Sequence, residues 1–224
     1  MSRRAPGDGE IPADMGIPMG LQYSITAIGS VILQTAVNGL GSLAVASVTA
    51  AGKVSMFFCC AFDAMGSTMA TYGGQNVGAK KLDRVGKGLK DCVILGAAYS
   101  ILAFVALYLF GDNLASLFVD GAEDQMLANA RTFLIVNSSF YIPLALVNIV
   151  RYLIQGMGFS TFAILAGVFE MVARTLVGLL LVPRFGFIGV CFANPLAWVA
   201  ADIFLIPAYI HVKKRLQKIF ESEV

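Results

Sequence analysis

Charge is what this chain has least of. Asp, Glu, Lys and Arg make up 13% of its 224 residues, about half the share usual in a soluble domain. The net charge of +2 is too small to hold a phosphate backbone, so a nucleic-acid partner is not expected. One His and one Trp leave no material for a zinc-protease pattern or a Ser/His couple. We therefore expect neither an enzyme, nor a metal centre, nor a cofactor. The cysteines Cys59, Cys60, Cys92 and Cys191 show no CxxC spacing and fall in or beside apolar stretches. They read as small buried hydrophobes. Met1 to Met15 lacks the charged-then-apolar order of a signal peptide and is rich in Pro and Gly. It reads as a disordered lead-in, or as a start placed inside a longer ancestral gene.

What fills the chain instead is hydrocarbon: 58% of residues are hydrophobic, with a mean hydropathy of +0.77. One soluble core has no room for that much apolar surface. The fold class is all-α, a polytopic membrane protein, and six segments can be marked off. They run over 17–37, 43–74, 92–110, 133–155, 161–182 and 187–210. A segment of about 21 residues spans roughly 31 Å as a helix, enough for a bilayer core. Asn38-Gly39-Leu40-Gly41 and Gly156-Met157-Gly158-Phe159-Ser160 supply turns, Pro143 marks a kink in segment four, and Pro183 ends segment five. The organisation is a lead-in over 1–15, a six-helix lobe over 16–212 and a basic tail over 213–224. No second copy of the Gly16–Pro18 or Gly73–Gly78 pattern is evident, so no internal repeat is expected.

The hydropathy breaks sharply at Gly73-Gly74-Gln75-Asn76-Val77-Gly78-Ala79-Lys80. The glycines are expected to end segment two and allow a close turn. The sequel from Lys80 to Asp91 reads as a separate amphipathic helix on the membrane surface: Leu82, Val85 and Leu89 share one face, and Lys80, Lys81, Arg84, Lys87 and Lys90 crowd the others. A phosphate-binding loop is excluded, because no Ser or Thr follows the lysines. Six spans put both termini and this elbow on one side. That side holds Arg3, Arg4, the elbow cations and Lys213, Lys214, Arg215 and Lys218, whereas Asp112, Asp120, Glu123 and Asp124 lie opposite. The basic side is expected to be cytoplasmic, and lipid is the first partner.

Ionisable groups inside a bilayer are costly and are candidates for function. Glu170 and Arg174 are four apart on segment five and share a face. At 1.5 Å per residue Glu170 lies about 15 Å, Asp202 about 12 Å and Arg151 about 8 Å from the cytoplasmic end. These four form an expected ion-paired cluster, either a structural staple or part of a site. Asp63 stands about 20 Å from the elbow end with no basic partner at its depth except Arg174. Desolvation opposes its charge, so it is a candidate proton carrier or cation contact; its alternative is a protonated group bonded to a neighbouring helix. Gln22, Asn137 and Tyr141 are candidates for lining a cavity, with helix–helix glue as the alternative.

The stretch Gly73–Lys80 followed by Asp83-Arg84 resembles the Gly-Gln-x-x-Gly-Ala signature of the multidrug and toxic compound extrusion (MATE) transporters. Its elements in this chain are Gly74, Gln75, Gly78, Lys80 and Arg84. Gly16-Ile17-Pro18 with Leu21-Gln22, Arg151–Gly158 and Glu170–Arg174 are similar to the seventh, tenth and eleventh helices of that family. The resemblance implies the C-terminal six-helix lobe of a twelve-helix transporter. Such a lobe would export organic cations or drugs in exchange for sodium ions or protons, by alternating access. A single lobe encloses half a cavity, so a homodimer or a separately encoded N-lobe is implied, in a bacterial plasma membrane with cytoplasmic termini. Segments one and four contain no Asp or Glu, where some branches carry acidic cation ligands. The other expectations are a truncated product, a non-transporting assembly subunit, and a lipid-linked saccharide flippase of the same superfamily.

Overall fold

In the computed structural model residues 13–118 and 124–222 are described, without the side chains of 13–19, 21–23 and 26. Every regular element among them is helical. They are α1 (Ala13–Asn38), α2 (Ser42–Gly78), α3 (Leu82–Ser116), α4 (Asp124–Ser139), α5 (Tyr141–Gly156) and α6 (Ser160–Leu176). A π-helical turn over Val177–Leu181, α7 (Val182–Phe185), α8 (Phe187–Cys191) and α9 (Ala193–Ser222) follow. Four long helices or fused runs are apolar enough to cross a membrane, and α4 with α5 makes a fifth if that pair, bent by 53°, is one span. The described apolar part of α1, Ala27–Asn38, is a shorter helix.

The core is built around α5. Tyr141, Ile149, Leu153 and Ile154 on it are completely buried, because α2, α3, α6 and α9 all pack against it. The closest approach is glycine-made. A Cβ on Gly156 would come within 2.1 Å of the Ala70 carbonyl oxygen, and one on Gly66 within 2.6 Å of the Tyr152 ring. The backbones of α2 and α5 meet there because neither glycine brings a side chain. The outer surface carries large exposed apolar side chains such as Leu102, Leu109, Leu179 and Ile203. In a bilayer this is the expected solution, since lipid solvates them.

Three expectations are corrected. The surface helix expected over Lys80–Asp91 is not separate: α2 runs through Gly74 to Gly78, and after Ala79–Lys81 the chain enters α3, continuous to Ser116. Leu82 and Val85 are buried in the bundle, and that packing straightens the amphipathic run onto the span. Gly74 therefore turns nothing; it faces the Gly156 carbonyl, 3.0 Å from where its Cβ would lie. The kink that Pro143 marks in segment four is present: α4 and α5 are bent by 53° with the break at Phe140, and Pro143 sits in the first turn of α5 just beyond it. Pro183 likewise opens the short α7, and Gly186, at φ 56, makes the turn. The turns at Gly41 (φ 99) and Gly158 (φ 94) stand where the sequence puts them.

Candidate functional site

Polar groups inside the bundle gather in one connected thread. Glu170 is 3% exposed and takes both arginines. Arg151 donates to Glu170 Oε1, and Arg174 lies 3.2 Å from Oε2, one helical turn along α6. Arg174 Nε reaches on to Asn194 Oδ1 at 3.4 Å. Asn194 Nδ2 donates to Asn137 Oδ1 at 3.2 Å. Asn137 Nδ2 closes the thread on the carbonyls of Phe133 (2.9 Å) and Cys191 (3.2 Å). The Cys191 carbonyl is available because α8 ends there, while the Phe133 carbonyl is shared one turn back along α4. A carboxylate between two guanidiniums and two asparagines satisfies most of what the apolar interior would otherwise leave unpaired.

The thread ends at a cavity of about 280 Å³ between α1, α2, α4, α5 and α9. Gln34, Ser55, Asn137, Tyr141, Asn194 and Trp198 are on its wall, and among the described residues no charged side chain is. Tyr141 is completely buried, packed against the Phe62 and Trp198 rings. Its hydroxyl lies beside the Ser55 hydroxyl and the Cys59 thiol without a well-aligned hydrogen bond to either. The cavity can therefore accept a hydrogen-bonding group or water.

A second polar feature lies on the outside. Cys60, Asp63, Ser67, Thr71 and Gln75 are all exposed and recur at three- and four-residue spacing along α2. This is one face of the helix, opposite buried Phe62, Gly66, Met69 and Gly73. Asp63 lies about 22 Å from Gly78 along the axis, well inside the span. Its own carbonyl accepts the Ser67 hydroxyl at 2.9 Å.

The structure pairs Arg151 and Arg174 with Glu170, and leaves Asp202 within electrostatic reach of Arg151 but without an ion pair among the described residues. Asp202 is buried at 8% exposure, yet its Oδ1 has no hydrogen-bond partner. Arg174 is turned to Glu170 and Asn194, away from the role of partner to Asp63. Asn137 and Tyr141 line a cavity; the side chain of Gln22 lies outside the described residues. Asn194, Ser55 and Trp198 were not singled out from the sequence. The signal for Asn194 was present, an amide in the apolar stretch Phe187–Ile210. At the elbow, Gln75 joins the exposed stripe, Gly78 ends α2, Lys80 holds a left-handed φ of 55, and the Arg84 carbonyl accepts the Tyr72 hydroxyl at 3.0 Å. Among the described residues no group of three or more His, Cys, Asp or Glu is placed to hold a metal ion.

The sequence profile described as MatE matches residues 18–180. The chain belongs to the MatE family. It is a multi-pass helical membrane protein of a family of transporters. No curated protein matches it. Solved structures do, at 19% identity. One is a MOP superfamily transporter from Pyrococcus furiosus described as having a binding pocket of reversed polarity, matched with a TM-score of 0.78 over 86% of this chain and 42% of that one. Another is a multidrug-resistance MATE transporter in an outward-facing conformation, with a TM-score of 0.78 over 86% of this chain and 43% of that one. At this identity the likeness is one of fold. This MatE chain spans less than half the length of either.

Proposed function

We propose that this MatE chain is one six-helix half of a secondary antiporter, corresponding to the C-terminal lobe. It exports organic cations or drugs in exchange for sodium ions or protons, in a bacterial plasma membrane with its termini cytoplasmic. The observation that carries this reading is the exposed stripe on α2. Five polar or ionisable side chains aligned on an outer helix face, with Asp63 deep in the span, cannot be solvated by lipid tails. A second half laid against that face would turn the stripe into the wall of a shared, wet cavity. The length match agrees, since the solved relatives are more than twice as long. Alternating access then consists of one half rocking on the other, with Asp63 as the group that exchanges a proton or cation against the cargo. The second half is another copy of this chain or a separately encoded lobe.

The flippase reading needs cations facing the central cavity for a pyrophosphate. Arg151 and Arg174 are both taken by Glu170 inside the bundle, so no observation favours it.

The test is gradient-driven efflux of an organic cation dye from proteoliposomes holding this chain alone, and Asp63→Asn beside it. Asp63 is exposed and has no ion pair among the described residues, so Asp63→Asn is expected to leave the melting temperature unchanged and to abolish efflux. No efflux from the unaltered chain would remove the autonomous transporter and leave a partner-dependent or assembly subunit. Full efflux from Asp63→Asn would remove Asp63 from the mechanism.

A further inference from the structure

The charged groups left unused by the bundle interior converge at the elbow end. After its apolar stretch, α9 runs on to Ser222 without a break. Val212 and Leu216 are buried and Phe220 is half-buried, so one face of this extension stays on the bundle and carries it past the start of α3. Lys213 Nζ lies 3.2 Å from where a Cβ on Gly86 would be. The Lys80 ammonium lies 5.8 Å from the Phe220 ring centroid and the Arg215 guanidinium 5.4 Å from that of Phe159. Between the elbow and the tail a groove of about 530 Å³ remains.

Its wall holds Lys80, Lys81, Arg84 and Lys87, all exposed, against the two carboxylates of Asp83 and Glu221. Gln217 and the Phe220 ring complete the wall on the α9 side. Arg84 and Lys87 are one turn apart on the same face of α3. The first turn of α3 also opens here with Lys81 at the N-cap and no side-chain cap, which adds the positive end of a 35-residue helix dipole. The height is informative. Lys87 and Arg84 stand about 8 and 12 Å beyond Cys92, where the apolar run of α3 begins, and Lys213 and Gln217 stand about 5 and 10 Å beyond Ile210. That is the headgroup layer of a bilayer, whose polar zone adds several ångströms beyond the hydrocarbon. The groove therefore stands at the level of lipid phosphates.

We propose that this groove binds the phosphate of an anionic membrane phospholipid, with Lys81, Arg84 and Lys87 as its principal cations and Lys80 beside them. Basic clefts at a membrane face recognise anionic headgroups through paired charge and hydrogen bonds. The bound lipid would tie the start of α3 to the tail of α9. The proposal needs the chain to lie in a membrane but does not depend on transport, so either can fail without the other.

The experiment uses the purified, delipidated full chain in a neutral detergent, with native mass spectrometry and thermal melting as readouts. Dioleoyl phosphatidylglycerol is expected to remain bound as a discrete adduct and to raise the melting temperature, whereas dioleoyl phosphatidylcholine does neither. Lys81→Gln/Arg84→Gln/Lys87→Gln is expected to retain phosphatidylglycerol at least fivefold less while melting as the unaltered chain does in phosphatidylcholine. If the triple variant fails to fold, Arg84→Gln alone is read, because its Tyr72 bond uses the backbone carbonyl. Lys214→Gln/Lys218→Gln, outside the groove, is expected to keep full retention. An equal loss in that control would overturn the proposal, as would absence of the adduct in the unaltered chain. A stabilisation by inorganic phosphate equal to that by phosphatidylglycerol would make the groove a free-phosphate site and overturn the lipid.

Discussion

Glu170 is the residue on which the interior charges depend. Two buried guanidiniums share one carboxylate, so removing its charge strands both. Glu170→Gln is expected to cost roughly 3–5 kcal/mol, read as a large fall in melting temperature in detergent. Arg174→Gln should cost less, because Arg151 keeps Glu170 neutralised. The obvious control, Glu170→Arg with Arg174→Glu, is not a restoration here: it sets a guanidinium against Arg151, and a melt no better than that of Glu170→Gln is expected. Asp202 differs, being buried with an unbonded Oδ1. Asp202→Asn should melt at the same temperature or higher, and a fall as large as that of Glu170→Gln would mean that Asp202 pairs with Arg151 after all. Spacing made Glu170 and Arg174 legible as a pair, since four residues along a helix is one turn. Depth also put Asp202 at their level, and it does lie within electrostatic reach of Arg151, but depth does not say which acid the guanidinium will bond, and Glu170 takes it.

Among the helices the decisive contact is α2 on α5. Gly156→Ala would drive a methyl into the Ala70 carbonyl, and a destabilisation of about 1–3 kcal/mol or more is expected. Gly52→Ala on α2 meets nothing within 4 Å and should stabilise by roughly 0.5–1 kcal/mol through helix propensity. The pair of melts separates a packing glycine from a merely permissive one. The sequence displayed the order of the segments through hydropathy, and the turns at Gly41 and Gly158 through composition. It displayed the bend at Phe140 only through Pro143, whose ring meets the carbonyl four residues back. The π-helical turn at Val177–Leu181 holds Gly178 and precedes Pro183, signals of a disturbed helix that do not name its form. That form depends on what packs against it: Gly189, for one, brings its backbone so close to Leu181 that a Cβ would sit 2.8 Å away. Gly73 and Gly74 misled for the same reason. A glycine before a charged run resembles a helix stop, and only the partner helix reveals it as a contact.

At the scale of the whole molecule, the exposed face of α2 predicts an assembly. Cys60 lies on that face and is exposed, so in a homodimer built on it two copies of the thiol come near each other. With Cys59, Cys92 and Cys191 replaced by Ser, a short thiol cross-linker in native membranes is expected to give a band of twice the chain mass, and Cys60→Ser to abolish it. A monomer band throughout, with efflux intact, would point to a separately encoded half. A symmetric pair also has an arithmetic of its own. Two identical chains in the same orientation are related by an axis along the bilayer normal, so anything on the shared face occurs in duplicate. The chamber would hold two carboxylates from Asp63, and the number of cations admitted per turnover would be even if both sites fill. A pairing of unlike halves obeys no such parity. The electrical charge moved per cargo molecule, read as a current across a supported membrane, would then distinguish twin halves from unlike ones without any view of the complex.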